Sequence, residues 1–196
     1  MRNADAHNDV ALLMATSANG SRIVALISKL LLMLTIRPLA SESHSDCANV
    51  LRIFLEAPSY TELVEGRPSS EEDVDDFFNG KPASNDGADK SVFGFYVGSD
   101  MVGCADVIRS YPNDDCAWIG LLLFSGAHQS RGYGQTALAL INEMAREWGY
   151  RRLQLAAIST NPRALAFWQR EGFETAYSTT NPRFIGDVIV MERPIR

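Results

Sequence analysis

The stretch His128–Gln135, HQSRGYGQ, follows the apolar run WIGLLLF and leads into a segment of helical periodicity. Two glycines, an arginine and the side chains of Gln129, Ser130, Tyr133 and Gln135 are crowded into it. Gly132 and Gly134 permit tight backbone bends and close approach by a ligand. A helix starting here would present its free amides and the positive end of its dipole to the loop. Together these make an anion site suited to phosphate. Arg131 adds charge, and Gln129, Ser130 and Tyr133 add hydrogen-bonding groups.

Two common phosphate motifs do not fit. A P-loop needs GxxxxGK[ST], and this stretch has no such lysine. Gly132, Gly134 and Ala137 match a loose dinucleotide fingerprint, but the next strand, RRLQLAAI, lacks the acidic residue that would hold the ribose. Repeated parallel βαβ units are missing too.

The elements that must position this loop are legible from periodicity. LTIRPL alternates and reads as a strand bounded by Pro38. Ser43–Leu55 has helical spacing, and APSYTELVEGRP is a break holding a short helical turn. Ser69 with Glu72 predicts a capping box opening the helix EEDVDDFF, whose acidic first turn suits the helix dipole. GKPASNDGADK reads as a loop. SVFGFYVG, MVGCADVIRSY and CAWIGLLLF then form an antiparallel meander, with a hairpin at GSD. A helix over about Gly132–Trp148 precedes the strand RRLQLAAI, with Gly149 as its C′ residue. Asn161 as N-cap and Pro162 at N1 start a short helix to Arg170. GFETAYSTT and FIGDVIVMERP close the chain as strands. The fold class is α+β, around a mixed, mostly antiparallel sheet flanked by helices.

Gln129-x-x-Gly132-x-Gly134 resembles the pyrophosphate-binding loop [RQ]-x-x-G-x-[GA] of the GNAT N-acetyltransferase superfamily. Downstream, NPRALAFWQREGFE is similar to that superfamily's second cofactor segment, with Asn161, Ala164, Phe167, Arg170, Gly172 and Phe173 in place. LTIRPLA and VIVMERPI resemble its first and last strands, so the likeness covers about Met33–Arg196. It implies a GNAT-like fold in which the parallel strands Cys116–Phe124 and Arg151–Ile158 splay apart to admit acetyl-CoA as co-substrate. The pyrophosphate would rest on Gln129–Gly134, with Gln135 beside it. The pantetheine arm would pair with the backbone of Leu122, Leu123 and Phe124. Asn161, Phe167 and Trp168 would contact the cofactor from the next helix.

The resemblance implies acetyl transfer to a primary amine by direct attack in a ternary complex. Holding amine and thioester in line supplies much of the rate, and a backbone N–H at Leu122 is the expected oxyanion donor. This sequence departs from the pattern at two places. Trp168 stands where the superfamily often has a general-acid tyrosine, and Trp118 where histone-acetylating members carry a base glutamate. Proton transfer would then run through water or through Glu65, Asp106, Tyr111 or Asp115. Glu65 is preferred, because YTELVEG lies where such a fold builds its acceptor pocket, between Pro58–Lys90 and Tyr177–Arg183. The acceptor would be an amine-bearing small molecule or a protein N-terminus or lysine, and a homodimer is compatible with this. A second reading is a non-catalytic CoA or acyl-CoA sensor or interaction module.

Composition bounds the remainder. The 196 residues hold one domain of about 150 residues plus an extension. The net charge of −6 argues against nucleic acid and suits a cationic acceptor. Three cysteines, Cys47, Cys104 and Cys116, without CxxC spacing, argue against a disulfide framework or a zinc site. They read as core thiols in a reducing compartment, so a cytoplasmic location is expected. The run RIVALISKLLLMLTI is broken by Lys29 and too short for a membrane span, and its flanks are not those of a signal peptide. Residues 1–32 therefore form an N-terminal extension to the domain 33–196. Two readings of it stay open: an amphipathic helix packing on the domain or a partner, or sequence translated upstream of a start at Met33.

Overall fold

A computed structural model describes residues 34–82 and 89–195; the extension 1–32 lies outside the described residues. The elements are β1 (Leu34–Pro38), α1 (His44–Glu56), α2 (Ser59–Glu65), α3 (Glu71–Asn79), β2 (Lys90–Val97), β3 (Asp100–Arg109) and β4 (Cys116–Phe124). A 3-10 turn (Gly126–His128) follows, then α4 (Tyr133–Glu147), β5 (Arg152–Ile158), α5 (Pro162–Arg170), β6 (Glu174–Thr179) and β7 (Val188–Pro194).

The strands make one sheet of order β1-β2-β3-β4-β5-β7-β6. Every pairing is antiparallel except β4 with β5. Apolar residues on both faces of the strands require cover on both sides. One face carries Phe95, Ala105, Ile119 and Leu155, buried against Leu138 and Ile141 of α4 and Trp168 of α5. The other carries Cys104, Leu121 and Leu123, buried under Ile53 of α1 and Phe77 of α3. A third cluster joins Val64 of α2 to Ile158, Val188 and Val190. The edge strand β6 is exposed at every residue.

Two irregularities shape the middle of the sheet. In the β3–β4 ladder Asp106 faces Leu121 and Val107 faces Ile119, so Gly120 is an extra residue, a bulge. It shifts the side-chain parity of β4: Ala117 and Ile119 point toward α4 before it, Leu122 and Phe124 after it. The parallel β4–β5 ladder runs only from Cys116–Arg152 to Ile119–Leu155. Both strands continue past that point, so they part at the bulge, as the resemblance implied.

Helix ends are fixed by local chemistry. Ser43 caps α1 through its hydroxyl, which accepts from the Asp46 N–H at 3.3 Å. The capping box of α3 is Ser70 with Asp73, one residue beyond the expected Ser69 and Glu72. Ser69 is engaged elsewhere, its hydroxyl 2.8 Å from that of Thr61. Asp73 is held by Arg67 and accepts from the Ser70 N–H at 2.7 Å. APSYTELVEGRP holds a seven-residue helix, α2, ended by Gly66 in the left-handed region at φ +71°. Gly149 follows α4 at φ +88° as expected.

Candidate active site

The loop between β4 and α4 is bent by two left-handed residues, Ser130 at φ +60° and Gly132 at φ +84°. Its entry is pinned from within. Ser125, buried, donates its N–H to the Val102 carbonyl at 3.0 Å, and its hydroxyl lies 2.8 Å from Nδ1 of His128. Gln129 donates from Nε2 to the Phe124 carbonyl at 3.0 Å, tying the loop to the end of β4. Tyr133 stacks on Phe124 with ring centroids 6.1 Å apart.

The first intrahelical bond of α4 runs from the Thr136 N–H to the Gly132 carbonyl. Gly132 lies at the N-cap, and among the described residues no side chain caps the helix. The amides of Tyr133, Gly134 and Gln135 are therefore the free donors of a helix start. Ser130, Arg131, Gly132 and Gln135 are exposed around them. Uncapped amides, a positive dipole end and a neighbouring guanidinium fit a pyrophosphate.

The segment expected to contact the cofactor meets this loop directly. A Cβ placed on Gly134 would stand 3.2 Å from Cε2 of Phe167. Asn161 caps α5, its Oδ1 accepting from the Ala164 N–H at 3.1 Å, which leaves its side-chain NH2 as a donor. Arg163 donates to the Ser130 hydroxyl at 3.3 Å and brings a second guanidinium to the loop. Sequence reasoning missed Arg163. Its signal was an arginine in the first turn of a helix, where the dipole disfavours a cation unless an anion is near. Trp168 is 8% exposed and packs edge-on against Phe173 in the core.

Leu122, Leu123 and Phe124 lie past the bulge, on the part of β4 that has left β5. Leu122 is half-buried, and Leu123 and Phe124 are buried. Their backbone edge toward the gap is free of the β5 ladder, as pairing with an extended ligand requires.

The other side of the gap is walled by α2, α3 and the loop between β6 and β7. Glu65 is wedged between two guanidiniums: Arg67 Nη2 at 2.7 Å and Arg183 Nε at 2.7 Å. Arg183 also binds Asp76 at 2.7 Å, and the Ile185 N–H donates to the Val64 carbonyl at 3.0 Å. Thr160 donates to the Leu63 carbonyl. The two segments expected to build the acceptor pocket thus touch. Trp118 stands there edge-on to Tyr111, with centroids 5.3 Å apart. Asp115 is paired with Arg152 at 3.1 Å. Asp106 lies at the bulge itself, its side chain 6% exposed and 3.6 Å from Lys90 Nζ.

The electrostatics follow from burial. Burial pushes the Asp106 carboxyl up to about 7, against the opposing charge of Lys90. Burial also raises Tyr60, with Asp106 and Glu65 adding to it. For Asp73 burial acts upward, but the bonds from Arg67 and Ser70 and the charges of Arg67 and Arg183 outweigh it, and the group is lowered. Cys104 and Cys116 are raised by burial, Cys116 to about 12. No cluster of metal-ligating side chains occurs among the described residues. None of the described helices is long and apolar enough to cross a membrane.

A sheet that parts in front of an uncapped helix start is the arrangement the resemblance implied for a CoA thioester. The sequence matches the family model described as the acetyltransferase (GNAT) family over residues 50–173, and the chain belongs to that family. Its co-substrate is acetyl-CoA. The fold superimposes on an acetyltransferase from Thermus thermophilus with 29% identity and a TM-score of 0.66, covering 84% of this chain and 98% of that one. PaiA N-acetyltransferase from Thermoplasma acidophilum, solved with coenzyme A, matches at 18% identity and TM-score 0.60, over 83% and 99% of the two chains. YncA from Salmonella typhimurium, solved with acetyl-CoA, matches at 17% and 0.58, over 83% and 94%. No curated protein matches this sequence.

Proposed function

We propose that this enzyme transfers the acetyl group of acetyl-CoA to a primary amine by direct attack in a ternary complex. The observation that carries this reading is the β4–β5 ladder ending at Ile119–Leu155 in front of the uncapped amides of α4. A thioester laid along Leu122–Phe124 would bring its carbonyl to the bulge, open to the wall formed by α2 and the β6–β7 loop. An acyl-enzyme route has poor support: Cys104 and Cys116 are buried thiols held protonated, and neither has the low pKa of a nucleophilic cysteine. The acceptor side is acidic, with Glu62, Glu71, Glu72, Asp75 and Asp76 on α2 and α3. That charge attracts a cationic amine, whether a small molecule or a protein N-terminus or lysine.

The test is an amine panel with purified protein and acetyl-CoA, followed by thiol release and by mass gain of one acetyl group on the amine. Initial-rate plots should intersect, as a ternary complex requires. Parallel plots with a mass-detected acetyl-enzyme would sink the direct-attack reading. Tight CoA binding with no amine acetylated would turn the assignment toward a CoA-binding module.

A further inference from the structure

Asp106 stands where β4 and β5 part. A Cβ on Gly120 would come 2.8 Å from its Cγ and 2.9 Å from its Oδ2, so the carboxylate lies directly over the bulge. It is on the sheet face covered by α1 and α3, the face also shared by Cys104 and Leu121. Oδ1 accepts no hydrogen bond among the described residues. Lys90 is the nearest cation at 3.6 Å, and its ammonium is bonded to the carbonyls of Asp76 and Gly80 at 3.1 and 2.8 Å. A carboxylate oxygen so deeply buried, with only an ammonium at 3.6 Å and no hydrogen bond, has room for a donor that a ligand would supply. The other groups on this side are committed: Glu65 to Arg67 and Arg183, Asp115 to Arg152.

Building on the amine-acetylation reading above, we propose that Asp106 receives the acceptor ammonium at the bulge and takes its proton. The ammonium gives one proton to Oδ1 and becomes a neutral amine. Its lone pair forms the C–N bond at the thioester carbon, and the carbonyl π pair moves to oxygen. Collapse of that oxyanion breaks the C–S bond, and the sulfur leaves with the electron pair. The second nitrogen proton passes to the sulfur, giving free CoA and the amide. Asp106 then releases its proton to water.

The neighbours suit this task. Lys90 from β2, Asp76 from α3, Tyr60 from α2 and Cys104 on the same strand are the titratable groups that face Asp106. Burial outweighs Lys90 and holds the carboxyl near 7. Relative to an ordinary carboxylate, that favours proton transfer from an alkylammonium by about three powers of ten.

The test uses the full chain and Asp106→Asn, which is nearly isosteric and cannot take the proton. In protein labelled with carboxyl-13C aspartate, one signal should titrate near pH 7, be missing from the variant, and shift when a saturating primary amine is added to the CoA-bound enzyme. The probe amines are spermidine, an aminoglycoside and a peptide with a free N-terminus. Turnover of an acetylated amine should fall by roughly 100-fold or more in the variant. The acid limb of its kcat/KM profile should vanish, and acetyl-CoA affinity should stay within about threefold. A signal titrating below pH 5, or unmoved by every probe, overturns the assignment. So does a variant that keeps the wild-type rate and acid limb. If the wild type acetylates none of the probes while the Asp106 signal still shifts with amine, the transfer reading fails and the amine site stands.

Discussion

The ring of Phe167 lies against the α-carbon of Gly134, leaving 3.2 Å where a Cβ would sit. This contact joins the β4–α4 loop to α5, so the two stretches singled out in the sequence are parts of one surface. Any side chain at 134 must displace the ring or the helix start. Gly134→Asp adds a negative charge beside the free amides of α4. Its CoA affinity should fall by roughly tenfold or more in calorimetric titration. Gly132→Ala is the contrasting variant. Nothing lies within 4 Å of its Cβ position, but φ is +84°. It should cost about 1 kcal/mol of stability through the backbone, read as a lower Tm.

Stability should depend on pH through Asp106. Its folded pKa of about 7 is above the unfolded value of 3.8. The folded state thus holds the proton more tightly, and stability present at pH 4 is lost as pH rises toward and through 7. Asp106→Asn cannot lose that proton. Its stability relative to the wild type should rise across this window, by at least about 1 kcal/mol between pH 4 and pH 8 in urea unfolding. A constant difference from pH 4 to pH 8 would contradict this.

Arg67 holds the buried Asp73 in a two-pronged pair, with Nη1 to Oδ2 at 3.0 Å and Nη2 to Oδ1 at 2.5 Å. Arg67→Ala leaves a buried carboxylate with only the Ser70 N–H. A loss of about 2–3 kcal/mol is expected, at the low end for a buried pair because the guanidinium is partly in water. Asp73 is lowered in the fold. Its contribution is present above the unfolded carboxylate value and is lost as pH falls through the folded one. The gap between variant and wild type should therefore narrow as pH falls below the ordinary carboxylate range.

Arg183 bridges Glu65 and Asp76, tying the β6–β7 loop to α2 and α3. The pairs are partly exposed, so Arg183→Ala should cost less than about 1 kcal/mol globally. Its effect should be local: faster amide hydrogen exchange around residues 183–187 and a raised acceptor KM, with acetyl-CoA binding unchanged. A change in CoA affinity instead would show that the loop serves the other side of the site.

What the sequence disclosed was the local part. The bends at Gly132, the cap at Asn161 and the stop at Gly149 depend on residues within a few positions of each other, and each is read from side-chain type. The box at α3 shows the limit. Ser69 and Ser70 each have an acid three residues on, and the choice rests on Thr61 and Arg67. The bulge was hidden because WIGLLLF is apolar throughout, and a parity shift leaves no trace in such a run. Asp106 sits in CADVI, and the sequence makes it one of four candidate side chains for proton transfer, behind Glu65. Its burial comes from α1–α3, which pack over it from much earlier in the chain. The bridge from Arg183 to Glu65 spans 118 positions, beyond any spacing argument.

The exposed outer strand β6 has a consequence for what can pair with the sheet. A sheet edge offers a row of donors and acceptors to any other extended chain, and among the described residues no helix or loop is laid over ETAYST. What guards it is composition: Glu174 brings charge, and Thr175, Ser178 and Thr179 keep the strip well hydrated. Exchanging those polar letters for valine or isoleucine would leave the catalytic centre intact while turning the rim of the molecule into a seed for fibrils.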